Sequence, residues 1–218
     1  MDRIPEPELM EENEQAKAYS DADFEVPHEA FVAFSDRAFS DGVSGRILDL
    51  GCGPGDITVR FATRHPSCTV VGVDGSEAML HYGQKRIEEK GLQERITLKR
   101  VFLPSENLGS SFDGAISNSL LHHLEQPEVL WDSLKAHVCE GGSVFVMDLM
   151  RPDSEEAARN LVEVYSADEP EVLRRDFFLS LLAAYRPDEI QRQLDEANLG
   201  HLTLEVVSDR HWVVYGKL

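Results

Sequence analysis

The sequence predicts an α/β fold on a mostly parallel sheet, and three observations carry that expectation. Short apolar runs alternate with helical patterns between residues 46 and 150. The first run, Arg46-Ile47-Leu48-Asp49-Leu50, breaks into Gly51-Cys52-Gly53-Pro54-Gly55, after which a helical pattern opens at Asp56. The last two runs, 202–207 and 212–217, are joined by Ser208-Asp209-Arg210-His211. That connection is too short for a parallel crossover, so the sheet is expected to finish in an antiparallel hairpin.

Taken in order, residues 1–7 are short and proline-rich and are expected to trail. Glu8 to Tyr19 is polar and helix-forming, with Leu9, Ala16 and Tyr19 as anchors. After Asp21-Ala22-Asp23 a second helix follows, with Pro27 in its first turn and Phe31, Phe34, Ala38 and Phe39 recurring at helical spacing as core. Asp41-Gly42 ends it. Strand 46–50 leads into a helix over 56–64, with Asp56 at the N-cap position. Strand 69–74 follows, and Ser76 caps a helix that stops at Lys90-Gly91. Strands at 96–101 and 112–118, a helix over 127–138, a turn at Glu140-Gly141-Gly142 and a strand at 143–148 complete the alternation. This pattern implies right-handed crossovers. Three helices, 153–165, 171–185 and 188–197, precede the hairpin.

Composition narrows the partners. With 42% hydrophobic and 28% charged residues the chain reads as globular. No apolar run approaches the roughly 20 residues that cross a bilayer, and the acidic N-terminus does not resemble a signal peptide, so a cytoplasmic protein is expected. Forty acids against 21 bases give a net charge of −19, little material for a phosphate-binding face. Neither nucleic acid nor membrane is therefore expected as a partner. Monomer and homodimer both stay open. Three scattered cysteines (Cys52, Cys68, Cys139) make no disulfide frame, and Cys52 reads as a small residue fitting the glycine turn.

The turn bares backbone where a ligand can approach, and Asp74 ends the second strand where a doubly wound, Rossmann-like fold holds an adenosine ribose. A dinucleotide would bring a pyrophosphate, which suits G-x-G-x-x-G and a bare helix N-terminus. Here the spacing is G-x-G-x-G, with the anion Asp56 where the phosphate would sit and Asp49 placed to meet a cation. A nicotinamide oxidoreductase is disfavoured on those grounds.

The Asp49-Leu50-Gly51-Cys52-Gly53-Pro54-Gly55 turn, Asp74 and the terminal hairpin together resemble a class I S-adenosylmethionine-dependent methyltransferase. Ser119-Leu120-Leu121-His122-His123-Leu124 resembles the region after strand four in its small-molecule branch, which includes quinone-biosynthesis enzymes. The resemblance implies a seven-stranded sheet of order 3-2-1-4-5-7-6, last strand antiparallel, with helices on both faces. It implies a single methyltransferase domain over 1–218, with a helical lid over 1–45, a cofactor-binding core over 46–150, a substrate-side insert over 151–200 and the hairpin over 201–218. The implied reaction moves a methyl group from S-adenosylmethionine to a small-molecule acceptor. The alternatives are a non-catalytic S-adenosylmethionine-binding protein and an RNA or protein methyltransferase. The absence of an Asn-Pro-Pro-Tyr-like motif after strand four, where Asn118-Ser119-Leu120-Leu121 stands, weighs against RNA.

By the same resemblance Asp49, Gly51, Cys52, Gly53 and Gly55 hold the methionine part, and Asp74 the ribose. Gly75, Ser76 and Met79 line the adenosine, and Asn118 faces the cofactor. No acid follows strand three before Glu106, so adenine is expected against the backbone of Phe102 and Leu103 under their apolar side chains. Displacement at a sulfonium does not demand a base. His122 and His123, just past strand four, are the candidates if one is used, with pocket shaping as the other reading. Tyr19, Arg151 and Arg210 are candidate substrate contacts, alongside Asp148 and His211, and His28 belongs to the lid. No metal is expected, since no acid–histidine cluster is visible in the chain.

Overall fold

A computed structural model describes residues 1–6, 13–22, 25–40, 42–105, 108–109 and 111–218. Residue 7 and Glu8, Leu9, Asp23, Asp41 and Glu106, covered above, lie outside the described residues. Eight helices are described: α1 (Asn13–Asp21), α2 (Glu25–Ala38), α3 (Asp56–Arg64), α4 (Glu77–Glu89), α5 (Glu128–His137), α6 (Glu155–Tyr165), α7 (Glu171–Ala183) and α8 (Pro187–Glu196). The strands are β1 (Gly45–Leu50), β2 (Cys68–Asp74), β3 (Ile96–Arg100), β4 (Phe112–Asn118), β5 (Val138–Leu149), β6 (Thr203–Val206) and β7 (His211–Lys217). They form one sheet of order β3-β2-β1-β4-β5-β7-β6, in which β7 runs antiparallel to both neighbours. This is the topology expected, with its hairpin ending.

The core explains the strand sequences. Successive residues of a strand face opposite sides, and both sides here are covered. Leu48, Val71, Val73, Val144 and Val146 pack beneath α5 and α8 with Trp131, Leu134, Ile190 and Trp212. Ile47, Val70, Ile116, Phe145 and Val213 pack beneath α2 and α3 with Phe31, Phe39 and Phe61. Phe31 meets Phe145 edge-on at 4.9 Å, so the phenylalanines of the second helix are core. Phe177 and Phe178 pack against a third cluster around Leu181, Ala158 and Val162.

Three expectations are corrected. Residues 1–6 do not trail. Ile4 N–H donates to the Leu182 carbonyl (3.1 Å), and the Arg3 guanidinium donates to the Ala183, His122 and Leu124 carbonyls while stacking on Tyr185. The fifth strand starts at Val138, paired with Phe112, and the expected turn at 140–142 is an irregularity inside it. Gly141 takes a positive φ there, and its N–H reaches the Leu218 carbonyl. Finally, Asp56 is the first helical residue of α3, and its N-cap is Gly55. Among the described residues no helix is long and apolar enough to cross a membrane.

Candidate cofactor and acceptor site

The glycine turn sits at the carboxyl end of β1, the edge where open α/β sheets bind ligands. The Gly51 and Cys52 N–H groups both donate to the Val73 carbonyl (2.9 and 3.0 Å), turning the chain back over β2. Gly51, Gly53 and Gly55 all take positive φ (71°, 51° and 72°), a region costly for other residues. A Cβ on Gly51 would stand 2.8 Å from Leu120, and one on Gly55 3.3 Å from Gly83. At Gly53 it would meet nothing within 4 Å, so this is the residue whose bare backbone faces open space.

Two acids flank the turn. Asp74 accepts from the Gly53 N–H (2.9 Å) on one oxygen and the Ser76 N–H (2.8 Å) on the other. It thereby ties the turn to the start of α4, where Ser76 Oγ accepts the Met79 N–H. Burial raises the Asp74 carboxyl, and those two backbone bonds oppose the rise. Asp49 is 2% exposed and accepts from the Thr58 hydroxyl (2.6 Å), and among the described residues no cation pairs with it. Burial pushes its carboxyl up to about 7, against the Thr58 bond and with help from Asp74. A buried acid held by one neutral hydroxyl is suited to receive a cation.

The other residues of this half are placed as follows. Cys52 Sγ packs toward Gly72, and burial holds the thiol well above its ordinary pKa, so no thiolate nucleophile sits in the turn. Met79 is buried, and Gly75 gives its carbonyl to Arg100 (3.0 Å). Phe102 is 53% exposed, and Leu103 is half-buried against the core. Asn118 ends β4 half-buried at the same edge.

The N-terminal helices lie over this half through Asp56. Its carboxylate meets His28 Nδ1 (2.6 Å), Arg60 Nε (2.7 Å) and Arg86 (3.3 Å), and Arg86 also donates to the Pro54 and Ser20 carbonyls. Burial would raise the Asp56 carboxyl, but His28 and Arg60 outweigh it and the net shift is downward. Between α1, α2 and the turn lies a cavity of about 110 Å³ lined by Tyr19, His28, Pro54, Asp56 and Arg86. Burial, with the Asp56, Asp148 and Asp74 carboxylates, pushes the Tyr19 phenol up to about 12. Tyr19 thus stands between the two halves of the edge as a neutral hydroxyl.

The β4–β5 half is built from side chains. His122, in a single 3-10 turn over Leu121–His123, is 2% exposed and bonds through Nδ1 to Asp148 Oδ1 at 2.5 Å. Asp148 also accepts the Leu121, His122 and Leu149 N–H groups, so it fixes both the turn and the ring. Burial works against a charged imidazole, but Asp148 and then Glu6 outweigh it, and the His122 pKa is raised. On the far side of the pair, Glu6 Oε1 stands 3.4 Å from His122 Nε2 and 3.1 Å from His123 Nδ1 and accepts from Ser180 Oγ (2.9 Å). The acid–histidine cluster that the sequence does not display is therefore assembled by the fold.

The arginines named from the sequence are committed to protein partners. Arg151 is buried, donating to the Ala184 carbonyl (2.9 Å) and to Glu189 (2.6 Å). Arg210 lies over the Tyr165 ring and pairs with Asp209. His211 is buried against Ser208, and burial, with Arg210, lowers its pKa to about 4. Glu6, Arg3, Ser180 and Thr58 escaped sequence reasoning, and none carries a local motif that would have marked it.

Residues 47–142 match the model of a family described as a methyltransferase domain. That segment of the chain is similar to a methyltransferase domain. Among curated relatives it is 33% identical over 130 residues to a trans-aconitate 2-methyltransferase of Variovorax paradoxus, covering 58% of this chain and 46% of that one. A malonyl-[acyl-carrier protein] O-methyltransferase of a Paenibacillus species is 28% identical over 151 residues, 66% of this chain and 52% of the other. The chain thus spans about half the length of these relatives. Among solved structures, the plantazolicin methyltransferase BpumL in complex with S-adenosylhomocysteine superposes with a TM-score of 0.68 over 94% of this chain and 90% of that one, at 14% identity. The chain shares the fold of that structure.

Proposed function

We propose that the chain is an S-adenosylmethionine-dependent methyltransferase acting on a small-molecule acceptor and releasing S-adenosylhomocysteine. One observation carries the reading: a buried acid, Asp49, that meets the Thr58 hydroxyl and no cation among the described residues, and a ribose-type acid, Asp74, flank a glycine turn whose Gly53 faces open space. These fit a ligand with an ammonium at one end and ribose hydroxyls at the other, and they suit a pyrophosphate poorly. When bound, the cofactor supplies a methyl group activated by its own sulfonium charge.

The remaining work falls to this chain. Asp49 and the backbone of Gly51, Cys52, Gly53 and Gly55 hold the methionine part, and Asp74, Gly75, Ser76 and Met79 the adenosine. Phe102 and Leu103 border the adenine, and Asn118 faces the reacting end. Tyr19 and α1–α2 cover the site and exclude water. Asp148 orients His122, whose raised pKa favours an imidazolium that binds an anion over a neutral base that removes a proton. In this reading residues 1–218 are one domain, cytoplasmic, needing neither nucleic acid nor membrane. The test is transfer of label from methyl-labelled S-adenosylmethionine to a panel of small acids, amines and phenols. Label reaching a small molecule supports the proposal, and label reaching only RNA or protein, or nothing, contradicts it.

A further inference from the structure

The Glu6 carboxylate occupies a position built for an acid. Three groups converge on its Oε1 from two separate elements: His122 Nε2 and His123 Nδ1 from the 3-10 turn, and Ser180 Oγ from α7. Behind His122 stands Asp148, which directs the ring and favours its charged form. Arg3 adds a guanidinium at the His122 carbonyl. Burial raises the Glu6 carboxyl, His122 and the Ser180 bond oppose the rise, and Asp176 and Asp148, the acids that face it, add to it. The segment that delivers Glu6 lies lightly on the surface. Asp2, Ile4 and Pro5 are exposed, while the side chains of Met1, Arg3 and Glu6 reach inward.

We propose that His122, His123 and Ser180 form the anion subsite for the acceptor, that Glu6 fills it when no acceptor is bound, and that the acceptor is a carboxylic acid whose carboxylate takes Glu6's place. The inference rests on the methyltransferase reading for the role of the subsite, and it names a substrate class within it. A carboxylate acceptor is already ionised near neutral pH, so a protonated His122 holds it without having to act as a base. Glu6, His122 and His123 also present metal-type ligand atoms within 4.8 Å of one another.

The experiment is calorimetry on the full chain saturated with S-adenosylhomocysteine, with succinate and the neutral succinamide as probes. Glu6→Ala should bind succinate roughly tenfold tighter than the wild type or better, since the competing internal carboxylate is gone. Succinamide should bind neither protein, and adding His122→Gln should remove the gain. Glu6→Gln, which keeps the side-chain shape, should show the same trend and guards against misfolding of the alanine variant. Equal succinate affinity in wild type and both Glu6 variants, or succinamide matching succinate, overturns the proposal. So does stoichiometric zinc uptake by the wild type that Glu6→Gln loses. Titrations without S-adenosylhomocysteine separate the two readings: a chain that ignores S-adenosylhomocysteine yet gains succinate on Glu6→Ala contradicts the methyltransferase reading and supports the acid subsite.

Discussion

On the β1–β2 side of the sheet's carboxyl edge, backbone N–H groups of one turn and one helix start bind Asp74, and Asp49 accepts from the Thr58 hydroxyl with no cation beside it among the described residues. On the β4–β5 side, side chains from the N-terminal segment, the 3-10 turn, β5 and α7 bind one another in a network of two acids and two histidines. The first half keeps an acid in reserve for a cation. In the second, the Glu6 carboxyl already stands against the His122 and His123 rings. In the proposed reading the two halves take ligands of opposite charge, a cationic cofactor tail on one side and an anionic acceptor on the other.

The largest effect should follow from breaking the second network. Asp148→Ala strips a buried His122 of its partner and three backbone N–H groups of their acceptor. Urea unfolding should report a loss of about 3–5 kcal/mol. Next, Asp74→Ala removes the acceptor of the Gly53 and Ser76 N–H groups and should weaken S-adenosylhomocysteine binding about 100-fold by calorimetry, with little effect on succinate binding. An equal effect on both ligands would erase the contrast between the halves.

A pH series sharpens the comparison further. Asp49 is raised to about 7 in the fold, above the unfolded range. Its contribution to the free protein's stability is therefore full below about pH 4 and is lost as pH rises to about 7. A cofactor ammonium needs the ionised acid, so the thermal shift produced by S-adenosylhomocysteine should grow from pH 5.5 to pH 8. A shift constant across that range would show that Asp49 does not meet the ammonium. The smallest effect is expected at Arg210→Ala. The side chain serves Tyr165 and Asp209 at the hairpin loop, so stability should fall by no more than about 1 kcal/mol, with KM unchanged.

The same contrast explains what could be read from the chain. The glycine turn and Asp74 are short-range features. Three left-handed positions demand glycine, and the acid ends the neighbouring strand, so the motif is contiguous and visible. The sheet order was implied by the family resemblance which that motif carries, while strand alternation and the short final connection pointed to a parallel core and a closing hairpin. The acceptor half offers no such signal, because Glu6 and Ser180 lie 174 positions apart and meet through the docking of residues 1–6 on α7. The proline-rich start hid that docking, because one main-chain bond and an arginine hold it without any regular element. Asp56 misled for a different reason. As the first residue of α3 it looks like a cap, but His28, Arg60 and Arg86 claim its charge for the lid.

Calorimetry of the full chain with S-adenosylhomocysteine and, separately, with NADH tests the central claim most directly. The account predicts one S-adenosylhomocysteine bound per chain, sharply weakened by Asp74→Ala, and no NADH binding. Binding of NADH with no response to S-adenosylhomocysteine would contradict it.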